Sequence, residues 1–549
     1  MQILNQFKVK QKGAVLILMA FIIGLGVLAY LLHAFDPARL KLEQDKKTMQ
    51  TLNEAKQALI AWSVSHPLHP GQMPFPDRNL DGNYDGNSDC NSPVSTFDYR
   101  FLLGKLPVIG QTNPCVSPQE GLAEDFKDAE GNRLWYAVSR NLTHIYENNP
   151  VTLLHNPVIN PDIVLYPQNN PDSNNYPAIQ PEVRSYPWIK VLDGNGVLLS
   201  DSVAVVIIAP RGVLGVQNRS VAAPSASQYL DSFVMGSTPY SNSNYLIPNQ
   251  EFVIGEDLHH IADSDTRFVR PYYFNDKLVY ITIAELMAAL NNRAASEASL
   301  LLNQYKSKTG QFPYAAPLDA RLDSHISSGA SQKGLLPIDA TDVCGCESQF
   351  KCTCSFKPIS RVTFTRGSGT WAARSGACTR YSANCNCDGA GSCTNGSDYF
   401  TCDADGACDH NITGSNSFIY TVPNYADIKV ISGGCYISGK QAICNDIANL
   451  QIGLDVPAWF KDNLWSDFLY YEWSSTSSLK IGSRDGITAL LIAAGPNITN
   501  ELGHVQARPS LFINDYLDSL ENTNNDQQFE SSSKQKTINY YDQTFIVAP

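Results

Sequence analysis

A long apolar run near the N-terminus limits the fold of this chain more than any other feature. The run extends from Ala14 to Phe35 and is interrupted only by His33, close to its end. At about 1.5 Å per residue, a helix of this length covers the roughly 30 Å hydrocarbon core of a bilayer. The sequence therefore predicts a transmembrane helix at 14–35.

The residues that precede this run indicate its orientation. Positions 1–13 form a short basic segment with three lysines, and lysines beside an apolar helix hold that end in the cytoplasm. The stretch 32–35 offers no small-x-small cleavage site, so the anchor is expected to remain in the protein. We therefore expect the rest of the chain to lie outside the cytoplasm.

Length and charge exclude some classes of protein. A chain of 549 residues is too long for one hydrophobic core, so two or three domains are expected. Residues 1–47 have a balance of +4, which leaves −17 on the rest of a chain whose net charge is −13. An acidic body argues against nucleic-acid binding, which needs a basic surface.

The polar sequence after the apolar run has a helical period. Leu42, Met49, Leu52 and Leu59 recur at intervals close to a helical stripe, with polar residues between them. This spacing predicts one helix over 40–64. Two proline-containing pairs, His66-Pro67 and Pro70-Gly71, are expected to end it.

A short basic leader that ends in Gly13, with an apolar helix starting at Ala14, resembles the prepilin signal of type IV pilins and type II secretion pseudopilins. In that family a peptidase cuts after the glycine, so the resemblance implies processing between Gly13 and Ala14. The family usually has Glu at the fifth mature position, where this chain has Leu18. Certain minor pilins and the tip pseudopilin also lack it, so the resemblance points to a minor or tip subunit.

The resemblance carries further expectations about fold, partners and location. It implies an α+β fold whose N-terminal transmembrane helix continues into a pilin-like stem. It implies other pilin-like subunits and inner-membrane assembly proteins as partners, a bilayer contact through 14–35, and a surface ligand. The expected location is the bacterial inner membrane, single-pass, with the N-terminus cytoplasmic and the C-terminus periplasmic or extracellular in a filament.

Short sequences recur in the same order in the two halves of the chain. Gly71–Phe75 resembles Gly310–Tyr314, and Tyr229–Ser232 resembles Tyr516–Ser519. Further collinear pairs are 126–128 with 460–462, 134–139 with 468–474, 204–210 with 489–496 and 216–220 with 505–508. The internal repeat predicts two domains of one fold, 38–281 and 282–549, each a helix followed by an antiparallel sheet.

Each predicted domain contains one insertion. The first has a Pro-rich insertion at 141–190, and the second has a Cys-rich insertion at 340–445. Insertions on a shared scaffold are where specific recognition tends to lie. They are therefore the expected contact surfaces for adhesion or for partner subunits.

An acidic stretch after the first repeat sequence has the spacing of a calcium loop. Oxygen-bearing side chains alternate and a glycine follows at Gly82, as in calcium loops. The expected ligands are Asp77, Asn79, Asp81, Asn83 and Asp85. A turn rich in Asp and Asn that holds no metal is the alternative, because no Glu stands at the twelfth position.

The fourteen cysteines are clustered, with twelve of them between Cys344 and Cys444. In an exported protein they are expected to form disulfide bonds, whereas a cytosolic protein would use them for metal. Cys90 and Cys115 are expected to pair with each other, and Cys435 with Cys444. The sequence does not assign partners to the other ten.

Three common catalytic motifs are absent from the sequence. It has no zinc-protease His pair, no phosphate-binding glycine loop with Lys, and no Gly-x-Ser-x-Gly elbow. The expected function is therefore non-catalytic: a membrane-anchored subunit for filament or pseudopilus assembly and surface binding. The alternatives are a stand-alone signal-anchored binding protein and, third, an exported hydrolase with an unrecognised site.

Overall fold

A computed structural model of the protein gives its architecture. The structure describes residues 16–25, 37–78, 84–89, 102–110, 121–143, 145–146, 154–155, 158–164, 187–221, 224–245, 251–255, 261–262, 264–318, 331–338, 454–531 and 533–549, together with the strands between 344 and 445. The chain divides into two compact units. The first unit contains Met1–Leu59, Pro74–Val138 and Ile189–Ile281, and the second contains Ile60–Met73, Ser139–Trp188 and Thr282–Pro549.

Helices form a small part of the described residues. They are α1 (16–25), α2 (Pro37–Ser65), α3 (Ile283–Thr309), α4 (Ala458–Asp462) and α5 (Leu520–Thr523). Short 3-10 helices lie at Arg140–Leu142, Pro161–Val164, Ala226–Gln228, Trp465–Phe468 and Ile513–Asp515.

Strands supply most of the regular structure. Up to residue 282 they are β1 (Leu103–Lys105), β2 (Trp135–Val138), β3 (Ile145–Tyr146), β4 (Leu154–His155), β5 (Ile189–Asp193), β6 (Leu198–Ala209), β7 (Ser232–Met235), β8 (Thr238–Ser241), β9 (Glu251–Ile254) and β10 (Lys277–Thr282). From there they are β11 (Lys333–Leu335), β12 (Cys344–Ser348), β13 (Lys351–Ser355), β14 (Val362–Phe364), β15 (Ala372–Tyr381), β16 (Asn384–Asn395), β17 (Asp398–Cys402), β18 (Cys408–Asn411), β19 (Phe418–Ile419), β20 (Cys435–Ser438), β21 (Gln441–Asn445), β22 (Leu469–Trp473), β23 (Leu479–Ile481), β24 (Arg484–Ile487), β25 (Ala489–Ala493), β26 (Gln528–Phe529) and β27 (Gln543–Ala548).

The long helix of the second unit, α3, is delimited by capping residues. Thr282 accepts through Oγ1 a hydrogen bond of 3.1 Å from the backbone N–H of Glu285. At the other end Gly310 has a φ of +87°, and its N–H donates to the carbonyl of Lys306 at 2.8 Å. Threonine at the N-cap and left-handed glycine after the last turn satisfy free backbone groups at helix ends. The local sequence therefore sets both ends of α3.

The predicted transmembrane helix at 14–35 is contradicted by the described helices. The described part of α1 has ten residues, about 15 Å of helix, and α2 carries eight charged residues among its 29. No helix in the described residues is long and apolar enough to cross a membrane. The predicted bilayer contact and single-pass inner-membrane location are corrected accordingly. Positions 14, 15 and 26–35 lie outside the described residues.

The predicted fold class, a transmembrane helix and pilin-like stem followed by two helix-plus-antiparallel-sheet domains, is also wrong. Helices are few in the described residues and strands dominate. The sheets are mixed, because β5 pairs with β9 and β23 with β26 in parallel. Strand direction depends on pairing between distant segments, which sequence periodicity does not report. The domain limits 38–281 and 282–549 remain a prediction.

One order of four strands occurs in both units. In the first unit β1, β2 and β6 are neighbours and β10 pairs with β6, and in the second the order is β11–β22–β25–β27. Tyr136 of β2 and Tyr471 of β22 occupy the same place in this order. Their hydroxyl groups donate to the carbonyl oxygens of Pro74 and Pro313, at 3.0 and 3.1 Å. The two units therefore share a local arrangement of backbone and side chains.

An extended segment crosses the edge strand in each unit. Asp77 forms an antiparallel bridge with Lys105 of β1, and Ala316 forms the same bridge with Leu335 of β11. A Cβ atom at Gly104, the centre of β1, would clash with the Asp77 carbonyl group. The bridges make Asp77 the counterpart of Ala316, and Lys105 the counterpart of Leu335.

Strands from the Cys-rich insertion form two further sheets. Their orders are β12–β13–β21–β20 and β18–β17–β16–β14–β19, with β15 paired to β16. Small sheets are formed by β24–β23–β26, β3–β4 and β7–β8. The backbone register of β20 and β21 places Cys435 opposite Cys444.

Candidate functional site

Charged and aromatic residues meet on one face of the first unit's sheet. Asp77 bridges Lys105, and Lys105 lies opposite Trp135 in the next strand. Residues directly opposite each other in an antiparallel ladder project to the same face. Asp77, Lys105 and Trp135 are therefore neighbours across three chain segments.

Asp77 is fully buried, at 0% exposure. Its Oδ2 atom accepts hydrogen bonds from the backbone N–H of Gly86 at 2.8 Å and from Nη1 of Arg133 at 2.7 Å. Its Oδ1 atom has no partner among the described residues. Burial raises the pKa of Asp77 to about 7, against the opposing effect of Arg133.

The side chain of Lys105 lies between two aromatic rings. Its Nζ atom is 4.4 Å from the ring centre of Tyr84 and 4.5 Å from that of Tyr229, which are cation–π distances. Nζ also donates to the hydroxyl group of Tyr229 at 3.4 Å. Burial lowers the pKa of Lys105 to about 8, and the charge of Arg133 adds to this effect.

Aromatic contacts hold this enclosure together. The ring centres of Tyr84 and Trp135 are 5.5 Å apart, and those of Trp135 and Tyr229 are 5.3 Å apart. Tyr84 donates its hydroxyl hydrogen to the carbonyl of Pro224 at 3.0 Å. Burial raises the pKa of Tyr84, so its phenol stays protonated at neutral pH. The name "charged cluster" is used below for Asp77, Tyr84, Lys105, Arg133, Trp135 and Tyr229.

The second unit has an apolar cluster at the equivalent place. Ala316 and Leu335, the counterparts of Asp77 and Lys105, are buried with Tyr470 and Tyr516 among aliphatic side chains. The same scaffold therefore folds around either apolar or charged residues. Buried charges that a fold does not need are candidates for a functional role.

Two groups of the charged cluster titrate near neutral pH, which general acid–base chemistry requires. The cluster is closed, however, since Asp77 and Trp135 are 0% and 1% exposed. The amine of Lys105 already covers the rings of Tyr84 and Tyr229. The direct effect of this geometry is structural: Asp77 fastens the segment 84–89 to the sheet, because its carboxylate accepts the hydrogen bond from Gly86.

The predicted calcium ligands fall partly in this region. Asn79, Asp81 and Asn83 lie outside the described residues. The carboxylate of Asp85 accepts hydrogen bonds from the backbone and side-chain nitrogens of Asn87, at 2.8 and 2.5 Å. In the part of the chain that is described, no group of three or more His, Cys, Asp or Glu side chains could hold a metal ion. Calcium at this loop stays a prediction.

The processing site and the cysteines cannot be placed in the same way. Gly13, Ala14, Cys90 and Cys115 lie outside the described residues. None of the fourteen cysteine side chains is among the described residues, so neither a disulfide bond nor a free thiol is found there, and the predicted crosslinks stay predictions. For Cys435 and Cys444 the structure gives the backbone pairing already noted and nothing of the side chains.

The helix α1 exposes apolar side chains on all sides. Ten successive residues from 16 to 25 are apolar or glycine, and each is exposed. The large side chains range from 50% exposure at Leu25 to 73% at Leu16. Monomeric soluble proteins rarely leave so continuous an apolar surface uncovered. The α1 surface is therefore a second candidate site, for contact with another apolar surface.

Sequence reasoning did not identify two buried aspartate pairs, one in each unit. In the first unit Asp231 and Asp276 each accept a hydrogen bond from the backbone N–H of the other, and in the second unit Asp518 and Asp542 do the same. The repeated Tyr-Leu-Asp-Ser sequence marked Asp231 and Asp518. Nothing in the local sequence marked their partners.

Comparison with known proteins adds no relative. No family model, curated protein or solved structure matches this chain. The function has to be argued from the residues and geometry above.

Proposed function

We propose that this chain is a non-catalytic assembly subunit, the role expected from the resemblance of its N-terminus to pilin-like proteins. In this proposal α1 packs among the corresponding helices of other subunits in a filament. The observation that supports it is the exposure of the whole apolar surface of α1. The two units then form the outward-facing body, which carries the Pro-rich and Cys-rich insertions for ligand contact.

The distribution of apolar residues around α1 favours several neighbours over one. A surface helix with one apolar stripe needs a single partner face, whereas a helix that is apolar on all sides is stable when it is surrounded. Burial contributes about 25 cal/mol per Å² of apolar area. Leu18 and Ile22 lie one helical turn apart on the same face and are 60% and 59% exposed. Packing in a central bundle would bury both.

The buried ionisable groups support a structural role over a catalytic one. Asp276 and Asp542 have 3% exposure each, and their carboxyl groups accept hydrogen bonds from the backbone and from amide side chains. Asp77 is likewise committed to Arg133 and Gly86. A general acid or base has to reach a substrate, and these groups are enclosed by the protein.

The proposal is tested by the size of the full-length protein in solution and by electron microscopy. Sedimentation velocity should show concentration-dependent association of the wild type, and negative stain should show filaments or ordered bundles. Ile22→Glu should shift the population to monomer, because it places a charge in the packed surface. Leu42→Glu is the matched control: Leu42 is 69% exposed on the polar helix α2, so this variant should associate like the wild type.

Two outcomes would overturn the proposal. A wild type that stays monomeric at every concentration would favour the stand-alone binding protein. An Ile22→Glu variant that assembles like the wild type would remove α1 from the interface.

A further inference from the structure

The buried aspartate pair of the first unit connects a loop to a strand. The N–H of Asp231 donates to Oδ2 of Asp276 at 2.9 Å, and the N–H of Asp276 donates to Oδ2 of Asp231 at 3.1 Å. The N–H of Asn275 also donates to Oδ2 of Asp231, at 2.6 Å. Gln217 donates to Oδ1 of Asp231 at 2.7 Å, and Asn242 to Oδ2 of Asp276 at 3.1 Å. Asp231 lies just before β7, and Asp276 just before β10.

The second unit repeats this arrangement bond for bond. Asp518 and Asp542 exchange backbone hydrogen bonds of 2.9 and 3.2 Å, and the N–H of Tyr541 donates to Oδ2 of Asp518 at 2.7 Å. Gln506 donates to Oδ1 of Asp518 at 2.9 Å, and Asn522 to Oδ2 of Asp542 at 2.8 Å. Asp542 stands just before β27. Because the same five hydrogen bonds occur in both units, the arrangement belongs to the backbone scaffold that the units share.

One carboxyl oxygen is left without a partner at the same place in each unit. Oδ1 of Asp276 and Oδ1 of Asp542 are buried and accept no hydrogen bond from the described residues. Both residues are 3% exposed. A buried carboxylate oxygen without a donor is costly, whereas a protonated one can itself donate.

The arginine residues that face the pairs donate their hydrogen bonds elsewhere. Arg219 donates to the carbonyl oxygens of Pro210, Arg211, Gln228 and Tyr229, so its hydrogen bonds do not reach the first pair.

In the second unit Arg508 donates to the carbonyl oxygens of Gly495, Asp515 and Tyr516. Lys536 also faces this pair, and burial lowers its pKa. The remaining titratable neighbours are Tyr540 and Tyr541, whose pKa values burial raises.

We propose that each aspartate pair binds one proton and acts as an acid-dependent clasp between the loop and the following strand. Two adjacent buried carboxylates repel each other, and one shared proton removes the repulsion. The proton resides on Asp276 and on Asp542, where the oxygen without a partner lies. When it leaves to solvent, two negative charges face each other at the start of β10 or β27, and the clasp loosens.

The electrostatic environment agrees with this assignment. Burial, with repulsion from the partner, raises the pKa of Asp276 and of Asp542 well above the usual value. Burial also raises the pKa of Asp231 to about 6 and that of Asp518.

A direct test is infrared spectroscopy of the full chain with isotope-labelled aspartate. The wild type should show the C=O band of a protonated carboxyl group at about pH 7, where an ordinary aspartate is ionised. The band should lose intensity in the double variant Asp276→Asn, Asp542→Asn and keep the part that other buried aspartates contribute, such as Asp77, whose pKa is raised to about 7. Absence of the band in the wild type, or an unchanged intensity in the variant, would overturn the proposal. The wild-type measurement tests the proposal even if the double variant folds poorly.

Thermal unfolding supplies the second readout. Between about pH 5 and about pH 8, a group whose folded pKa is raised makes the fold more stable as the pH falls. The wild-type Tm should therefore drop on going to the higher pH, and the double variant should lose at least half of that drop. Asp201→Asn, at an exposed carboxyl on β6, should leave the drop unchanged. A wild-type Tm that rises over this interval, and that EDTA lowers at the higher pH, would show a bound cation in place of the proton and overturn the proposal.

Discussion

At the scale of single residues, the main result is the contrast between Asp77 with Lys105 and their counterparts Ala316 with Leu335. Positions that share a backbone arrangement hold charges in one unit and apolar side chains in the other. Replacing a buried ion pair by apolar residues often leaves stability unchanged or raises it, while removing one partner leaves an unpaired charge. We therefore expect the first unit to fold when all charged members of the charged cluster are replaced by apolar residues, and to be destabilised when only one of them is removed.

This contrast leads to a prediction for single and combined substitutions. Asp77→Ala removes the acceptor of Nη1 of Arg133 and of the N–H of Gly86, while Nε of Arg133 keeps its ion pair with Asp125 at 2.9 Å. The loss should destabilise the first unit by about 1–3 kcal/mol in urea unfolding. Asp77→Ala with Lys105→Leu and Arg133→Met copies the apolar state and should recover at least half of that loss. A triple variant less stable than Asp77→Ala would contradict the argument.

At the scale of elements, two hydrogen bonds to Asn463 hold a short segment of the second unit. Oδ1 of Asn463 accepts a hydrogen bond of 2.6 Å from the N–H of Ile159. The carbonyl group of Asn463 accepts one of 3.1 Å from the side chain of Asn160. Asn463 itself is buried, at 3% exposure, and follows helix α4. This residue therefore fastens the 3-10 helix Pro161–Val164 to the rest of its unit.

Substitutions at Asn463 should separate this role from simple packing. Asn463→Ala leaves the buried N–H of Ile159 without an acceptor and should cost about 1–3 kcal/mol. Asn463→Asp keeps an acceptor at Oδ1 and should retain more of the stability above the pKa of the new carboxyl group. Hydrogen exchange at Ile159 measures the effect locally. Equal protection in wild type and Asn463→Ala would show that the bond does not hold the segment.

The sequence predicted the helix α2 more successfully than it predicted clusters of residues from distant segments. The apolar stripe of α2 and the prolines after it correctly located a helix that the structure places at Pro37–Ser65. The charged cluster was out of reach, because its members come from segments as far apart as Asp77 and Tyr229 and meet only through strand pairing. Asp276 and Asp542 gave no signal for the same reason. Hydropathy over 14–35 predicted a span, whereas no helix in the described residues is long and apolar enough to cross a membrane.

At the scale of the whole molecule, buried carboxyl groups with raised pKa values dominate the response to pH. Burial is the first cause of the increase in each of them. They are Asp77, Asp162, Asp231, Asp276, Glu472, Asp518 and Asp542. A carboxyl group whose folded pKa exceeds its unfolded value binds its proton more tightly in the fold, so stability rises as the pH falls from the folded pKa to the unfolded one.

Histidine acts in the opposite direction. Burial lowers the pKa of His66 to about 4 and also lowers that of His69. Below about pH 6.5 the two imidazoles are protonated in the unfolded chain but stay neutral in the folded protein. These two residues therefore reduce stability on acidification.

The carboxyl groups of Asp125, Asp193, Asp265 and Asp515, whose pKa values are lowered, also reduce stability on acidification, but only as the pH falls toward the unfolded value of about 4. Above about pH 5 the seven buried carboxyl groups therefore outweigh the two histidines. The Tm should therefore be highest at about pH 5, and a maximum at or above about pH 7 would contradict this reading.

The apolar cluster at Ala316 and Leu335 gives the charged cluster a reference inside the same polypeptide. The energetic cost of a buried charge is usually measured against a homologous protein whose equivalent site is apolar. Here expression level, solvent and preparation are identical for both versions, since every molecule contains one of each. Moving lysine and aspartate into the second unit, or alanine and leucine into the first, would measure the cost of installing charge in both directions within one protein.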